Sequence, residues 1–378
     1  MTNLGLKPPP AVIANNNSSY PTYPKNNNDK NILPVVLTVG DPLGIGPEIT
    51  VKFLHWLSLN FQNQKEPNPF RPVIVVGCYQ SLVSASQQLK LPLPRANHFI
   101  AYHPVSSQLQ PGDISYQSLV LAVEAVAKDH GSFILTGPIS KENLYRAGYA
   151  QGGHTEILET LSKQYYPNHF CKADMLFLYK NFRLLLLTRH VPLAKVSESL
   201  TDAGVTQSLL NLVRFFEVYT NIKKPQLKIL GVNPHAGEIC LLSTQSNLLA
   251  KSYCLGQSEI EPEESRALVP AIRRVNKLKR LSIPSPVAAD AAFRGFNIET
   301  LQTDAFVAAY HDQGLVPFKL VAGMQAVNVT IGLPFLRTSV GHGTAPNIVG
   351  KGIATPESLI AAYQTGCQLI ETKQLSYA

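Results

Sequence analysis

From residue 34 onward the chain repeats one grammar, and that repetition limits its fold more than any other feature. Short β-branched or leucine-rich runs lie at 35–39, 73–76, 133–135, 184–187, 227–232, 305–309 and 327–331. Helical patterns stand between them, among others at 117–128, 193–200, 205–216 and 262–279. Strands that alternate with helices are joined by crossovers, so the pattern predicts an α/β fold on a largely parallel sheet. No internal repeat with a period of about 20–50 residues is present.

The length of 378 residues suits two domains of ~100–200 residues, or one unusually large one. Hydrophobic residues make up 45% and charged residues 15%, which provides for sizeable cores and excludes disorder over the whole length. Membrane spans need ~20 apolar residues, whereas the run 184–187 meets Thr188, Arg189 and His190 at once. The formal charge of +8 raises nucleic-acid binding, but the basic residues are scattered. Their densest cluster, 273–280, falls on a predicted helix whose Leu268, Ile272, Val275 and Leu278 face inward, so it reads as a solvated face. A positive field also favours small anionic substrates. Five well-separated cysteines (Cys78, Cys171, Cys240, Cys254, Cys367) with no CxxC suit buried thiols in a reducing compartment. Residues 1–31, with eight Asn and five Pro and no signal-peptide core, read as a disordered tail. A cytoplasmic enzyme is the expectation.

Chemistry gathers just past the strands. GDPLGIGPE follows the first run at 40–48, TGPISK the third at 136–141, TRH the fourth at 188–190, NPHAGE the fifth at 233–238 and YHDQG the sixth at 310–314. In open parallel sheets ligands bind at that edge. One such junction is ordinary turn chemistry; five point to an enzyme.

Each motif has a plain reading beside its functional one. The 40–48 loop matches neither GxGxxG nor GxxxxGK[ST]; it serves as an anion loop or as a tight strand–helix turn. His190, His235 and His311 share no spacing motif, yet each follows a separate strand; converging, they would hold a divalent metal, and apart they are structural. His154 and Thr155 open a helix, where they hold a phosphate or carboxylate, or Thr155 simply caps it. Lys319, Asn328 and Arg337 recur at nine-residue intervals through a short helix, a strand and a loop. They suit a phosphorylated ligand or are ordinary surface groups. The small residues of 341–348 (GHGTAPNI), followed by 349–356 before the last helix, let a flat ring or ribose approach the backbone.

Taken in order, GDPLGIGPE, GPISK, GGHTE, LLTRHVPL, NPHAGE, YHDQGLVPFK and VNVTIGLPFLRTSVGHGTA resemble the 4-hydroxythreonine-4-phosphate dehydrogenases of pyridoxal phosphate biosynthesis. The likeness runs from about residue 35 to the C-terminus, and the GKGIATP stretch is similar to the wider isocitrate/isopropylmalate dehydrogenase superfamily. The resemblance implies a homodimer of two-domain α/β/α subunits with the active site in the interdomain cleft. It implies a cofactor-side domain of 32–136 plus 330–378 and a metal, substrate and dimerisation domain of 137–329. It implies one divalent ion per subunit (Zn, Mg or Co), held by His190 and His235 of one subunit and His311 of the other. His154, Thr155, Lys319, Asn328 and Arg337 match substrate contacts, and Asp290 and Asp312 match acidic groups near the substrate. NAD or NADP would lie along the loop at Gly343, Thr344, Ala345 and Asn347.

The implied reaction oxidises 4-phosphohydroxy-L-threonine to 2-amino-3-oxo-4-(phosphooxy)butanoate, which decarboxylates to 3-amino-2-oxopropyl phosphate. Lys319, Asp312 and Asp290 are the candidate catalytic groups, and metal-bound water also qualifies as proton acceptor. Gly341 stands where the family usually has Asp, which removes a carboxylate beside the cofactor loop. Dehydrogenases of erythronate or threonate 4-phosphate share most of these motifs. Phosphate acyltransferases share the fold but need neither nicotinamide nor metal, and the three histidines argue against them.

Overall fold

The computed structural model describes residues 32–62, 70–97, 99–150, 152–237 and 263–376. The expected tail, Glu238, Cys240 and Cys254 lie outside the described residues. The strands are β1 (Val35–Thr38), β2 (Val73–Gly77), β3 (Ile100–Pro104), β4 (Phe133–Thr136), β5 (Asp174–Tyr179), β6 (Phe182–Leu186), β7 (Leu227–Ile229), β8 (Ala305–Ala308), β9 (Val327–Ile331) and β10 (Arg337–Ser339). The helices are α1 (Gly46–Gln62), α2 (Tyr79–Leu89), α3 (Pro111–Ala127), α4 (Lys141–Arg146), α5 (His154–Tyr165), α6 (Val196–Ser199), α7 (Asp202–Tyr219), α8 (Val269–Lys279), α9 (Ala289–Ala292), α10 (His311–Ala322) and α11 (Glu357–Ser376). All seven expected runs lie on strands. The sequence pattern did not indicate β3, β5 or β10. The expected helix at 193–200 is a 3₁₀ turn, Leu193–Lys195, followed by the short α6.

The described chain divides into two compact units, one running to Ala173 and resuming at Val327–Leu375, the other Asp174–Ala326. Residues 137–173 therefore stay with the first unit instead of joining 137–329. The reason is packing: Leu144 of α4 and Ile157, Leu158 and Leu161 of α5 share a core with Ile114, Leu119 and Val123 of α3.

In the first unit the strand order is β3-β2-β1-β4-β10-β9, parallel except for the β9–β10 pair. The chain runs outward from β1 on one side through β2 and on the other through β4, so a topological switch point falls between β1 and β4. There the loops after both strands pass back to back. A Cβ on Gly40 (φ +87°) would stand 2.2 Å from the Pro138 carbonyl oxygen, and one on Gly137 2.3 Å from that of Val39. Only glycine fits either place.

In the second unit the order is β5-β6-β8-β7, with β5 and β6 an antiparallel hairpin and the rest parallel. Phe182 anchors its core, with ring centroids 4.7 Å from Phe296 and Phe318 and 5.4 Å from Phe306. Past β7, Leu230 bridges Val287 and brings the α9 segment to that strand's end. The basic cluster lies on α8 as a solvated face, with Arg274 paired to Asp202 and Lys279 to Glu217. Leu268, Ile272 and Val275 are buried, but Leu278 is exposed, contrary to expectation. At 100° per residue it lies about 80° round from Leu268, at the edge of the apolar stripe and in the helix's last turn. No described helix is long and apolar enough to cross a membrane. Cys78, Cys171 and Cys367 are buried free thiols.

Candidate active site

The first unit presents a buried cation. Arg337 sits on strand β10, not in a loop as expected, and is 2% exposed. Its Nε and Nη2 donate to the Thr136 hydroxyl (3.1 and 2.6 Å) and its Nη1 to that of Thr330 (2.9 Å). Hydroxyls satisfy hydrogen bonds but bring no counter-charge, and burial pulls the guanidinium down to about 9. Asn328, two residues before Thr330 and so on the same face of β9, has its Oδ1 buried with no partner.

His154 borders the same cation. It is the first residue of α5, whose cap is Gly153; Thr155 is buried inside the first turn, so the capping reading fails. A ring nitrogen of His154 bonds the Gly137 backbone, while Nε2 is buried without a partner. Burial first, and the Arg337 charge second, hold the imidazole well below 6.5. A neutral ring that donates to the Gly137 carbonyl offers Nε2 as an acceptor. The pocket therefore combines one surplus positive charge with two idle acceptors. That suits a ligand carrying an anionic group together with hydroxyl or amine donors.

The 341–356 loop is anchored to α1. The Thr344 carbonyl accepts from the Ile45 N–H (3.0 Å), and Lys52 bonds Glu48 Oε1 and the Gly352 carbonyl, both at 2.9 Å. Ala345 takes a left-handed conformation (φ 43°) and starts the 3₁₀ turn Pro346–Ile348, leaving Asn347 exposed. Nothing lies within 4 Å of where a Gly343 side chain would begin, so the backbone there is open to a flat ring. The Gly341 N–H is held by Ser358 Oγ at 3.2 Å.

In the second unit the histidines follow three neighbouring strands: His190 after β6, His311 after β8 and His235 after β7. The rings of His190 and His311 lie 5.6 Å apart, centroid to centroid. His311 Nδ1 is 2.6 Å from Asp312 Oδ1, an orientation that leaves Nε2 free to ligate. His235 and Ala236 both adopt left-handed backbone, with φ 56° and 53°. Among the described residues, no three His, Cys, Asp or Glu side chains are arranged to hold one ion. Asp290 on α9 is exposed near the end of β7, through the Leu230–Val287 bridge. Lys319 is exposed on α10, eight residues beyond His311 and so about 12 Å along the helix.

Several contributors were not foreseen. Thr136 and Thr330 hold Arg337, and strand alternation from Asn328 was the signal for Thr330. Gln313, inside the YHDQG motif, and Glu264 tie loops together.

Residues 49–251 and 256–366 match the model of the family described as pyridoxal phosphate biosynthetic protein PdxA. The chain belongs to this family. Its relatives are dehydrogenases. A 4-hydroxythreonine-4-phosphate dehydrogenase of Thermosynechococcus vestitus is 32% identical over 353 residues, covering 87% of this chain and 94% of that protein. A D-threonate 4-phosphate dehydrogenase of Salmonella typhimurium is 31% identical over 358 residues, covering 89% and 98%. The solved 4-hydroxythreonine-4-phosphate dehydrogenase of Klebsiella pneumoniae superposes with a TM-score of 0.71 at 27% identity, covering 90% of this chain and 99% of that one. This PdxA member thus shares its fold with dehydrogenases of phosphorylated hydroxy acids.

Proposed function

We propose that this PdxA-family dehydrogenase oxidises 4-phosphohydroxy-L-threonine with NAD or NADP, on the route to pyridoxal phosphate. The buried, uncompensated Arg337 carries the reading, since a phosphate or carboxylate supplies the charge it lacks. Asn328 and the neutral His154 then accept from the substrate's amine or hydroxyl, and Thr155 lines the α5 N-terminus. His190 and His235, with the His311 of a second copy oriented by its Asp312, are the imidazoles we assign to a divalent ion such as zinc, cobalt or magnesium. The open backbone at Gly343, with Thr344, Ala345 and Asn347, fits the nicotinamide cofactor. A divalent ion held there would supply Lewis-acid stabilisation of charge on the substrate's hydroxyl oxygen, and a nicotinamide held there would supply a hydride acceptor. Lys319 and Asp290 are the groups we assign to the alcohol's proton, while Asp312 orients His311. The product, 2-amino-3-oxo-4-(phosphooxy)butanoate, is a β-keto acid and loses CO₂ to give 3-amino-2-oxopropyl phosphate.

A homodimer in the cytoplasm completes the proposal. Val316 and Leu320, 64% and 86% exposed, form an apolar stripe on the helix that begins with His311. Val191 and Leu193, beside His190, are exposed as well. Apolar surface flanking both histidines supports a second copy covering it and sharing the metal site.

The name of the Salmonella relative supports a second reading, in which the substrate is D-threonate 4-phosphate. Reduced-nicotinamide formation with 4-phosphohydroxythreonine, threonate 4-phosphate and erythronate 4-phosphate, with and without chelator, tests both. Chelator-sensitive turnover of the amino acid in clear preference to the other two is expected. Preference for either acid overturns the substrate assignment, and formation of acyl phosphate without nicotinamide favours an acyltransferase.

A further inference from the structure

Three loops of the second unit each carry one histidine, and loops alone do not hold side chains at fixed spacing. Here they are tied to one another through groups that are not histidines. Thr188, two residues before His190, donates its N–H and hydroxyl to the Ala309 carbonyl (3.1 and 2.7 Å). Ala309, two residues before His311, donates its own N–H to Gln313 Oε1 at 2.7 Å. Gln313 Nε2 donates to the Gly231 carbonyl at 2.6 Å, and so reaches the loop that holds His235. That loop ends on Glu264, which is fully buried: Oε1 accepts the N–H groups of Val232 and Asn233 (2.7 and 2.8 Å), and Oε2 accepts Asn233 Nδ2 (2.7 Å). Glu263 takes the same amide at 2.8 Å.

The chemistry of the strap is selective. The Ala309 N–H needs an acceptor and the Gly231 carbonyl needs a donor, and a carboxamide supplies both. A glutamate of equal length would set a carboxylate oxygen against a carbonyl. Beyond Asn233 the backbone enters left-handed conformations at His235 and Ala236, which persist only where surroundings over-determine them. The Glu264 bonds immediately before that turn supply the restraint.

We propose that Gln313, with Glu264 at the far end of the strap, is a positioning residue that orients the His190 and His235 loops toward one divalent ion and the His311 loop toward the ion of the second copy. This rests on the metal reading above. The strap fixes the loops to each other whichever protomer's ion they serve, so its loss is felt as weaker and differently shaped coordination.

Cobalt(II) binding to the full-length protein tests it, by calorimetry and by the visible absorption of the bound ion. Gln313→Glu is expected to weaken binding about 10–100-fold and to alter the spectrum. Losing the bond to the Gly231 carbonyl is expected to lower the melting temperature of its metal-free form slightly, so the deciding readout is the spectrum of the bound ion, which a purely structural role would leave unchanged. Wild-type affinity and spectrum in Gln313→Glu overturn the proposal. Should that variant not fold, Glu264→Gln carries the same test, because it keeps an acceptor for the two backbone N–H groups and opposes a donor to Asn233 Nδ2. His235→Ala separates the two levels: if the wild type binds no cobalt, or His235→Ala binds it as tightly, the metal reading itself falls.

Discussion

The Arg337 pocket of the first unit and the histidine edge of the second are built in opposite ways. Arg337 stands on a strand, is buried and donates its hydrogen bonds to hydroxyls on β4 and β9. The histidines stand on loops; His311 has a 38% exposed side chain and its partner Asp312 a 79% exposed one. A buried, rigid pocket pre-pays the ordering of its groups and gains most from a ligand that supplies the missing charge. An exposed edge with two neighbouring imidazoles is finished by something that arrives. On the proposed reading the first region recognises the substrate and the second completes a metal centre when a second copy arrives.

The largest expected effect is at the buried site. Truncating one partner of a buried, hydrogen-bonded charge pair costs about 2–5 kcal/mol, roughly 30- to 5,000-fold. Arg337→Met should therefore lower kcat/KM for a phosphorylated substrate within or beyond that range. It should not lower the melting temperature of the ligand-free protein, because removing an unpaired buried charge offsets three lost hydrogen bonds. An unchanged KM, or a strongly destabilised variant, would break the comparison from this side.

The second effect is read as a recovered fraction of activity and belongs to the exposed edge. His190→Ala and His311→Ala protomers should each be inactive alone. If the partner's His311 completes the site, a mixed dimer contains one intact and one doubly damaged site. A fully exchanged equal mixture then regains about a quarter of wild-type activity. No recovery in mixtures shown to exchange would mean that each chain builds its own centre.

What could be read in advance follows the same divide. β1, β2, β4 and β8 were legible because runs such as VVLT and VIVVG can only be buried on both faces. β10 was not, because Arg-Thr-Ser carries no apolar signal, yet all three residues are buried. An arginine buried without a counter-charge breaks the local consistency on which such patterns rely. The histidines were legible as strand-end residues, whereas the left-handed turn at His235 and the Gln313 strap depend on hydrogen bonds between segments far apart in sequence. That α4 and α5 stay with the first unit rests on their packing against α3, a contact that no local pattern announces.

The smallest effect sharpens the electrostatics of the buried pocket. Burial and the Arg337 charge hold His154 well below 6.5, its ordinary value. Between 6.5 and that depressed value the unfolded chain binds a proton that the folded chain refuses, so stability rises with pH and falls as pH drops. His154 thus costs nothing above 6.5, and below it withdraws up to about 1.4 kcal/mol per pH unit. His103, half-buried and lowered by burial, acts in the same direction, so the wild-type slope alone does not isolate the site. The difference between wild type and His154→Gln does, and should open only below 6.5 in denaturant titrations of the ligand-free protein. Saturating phosphate should narrow it, because an anion beside Arg337 removes part of the repulsion that keeps the imidazole neutral. If the two proteins show parallel stability profiles from neutral to acid pH, His154 is not held neutral beside an unpaired cation. The buried pocket would then lack the surplus charge on which its contrast with the histidine edge depends.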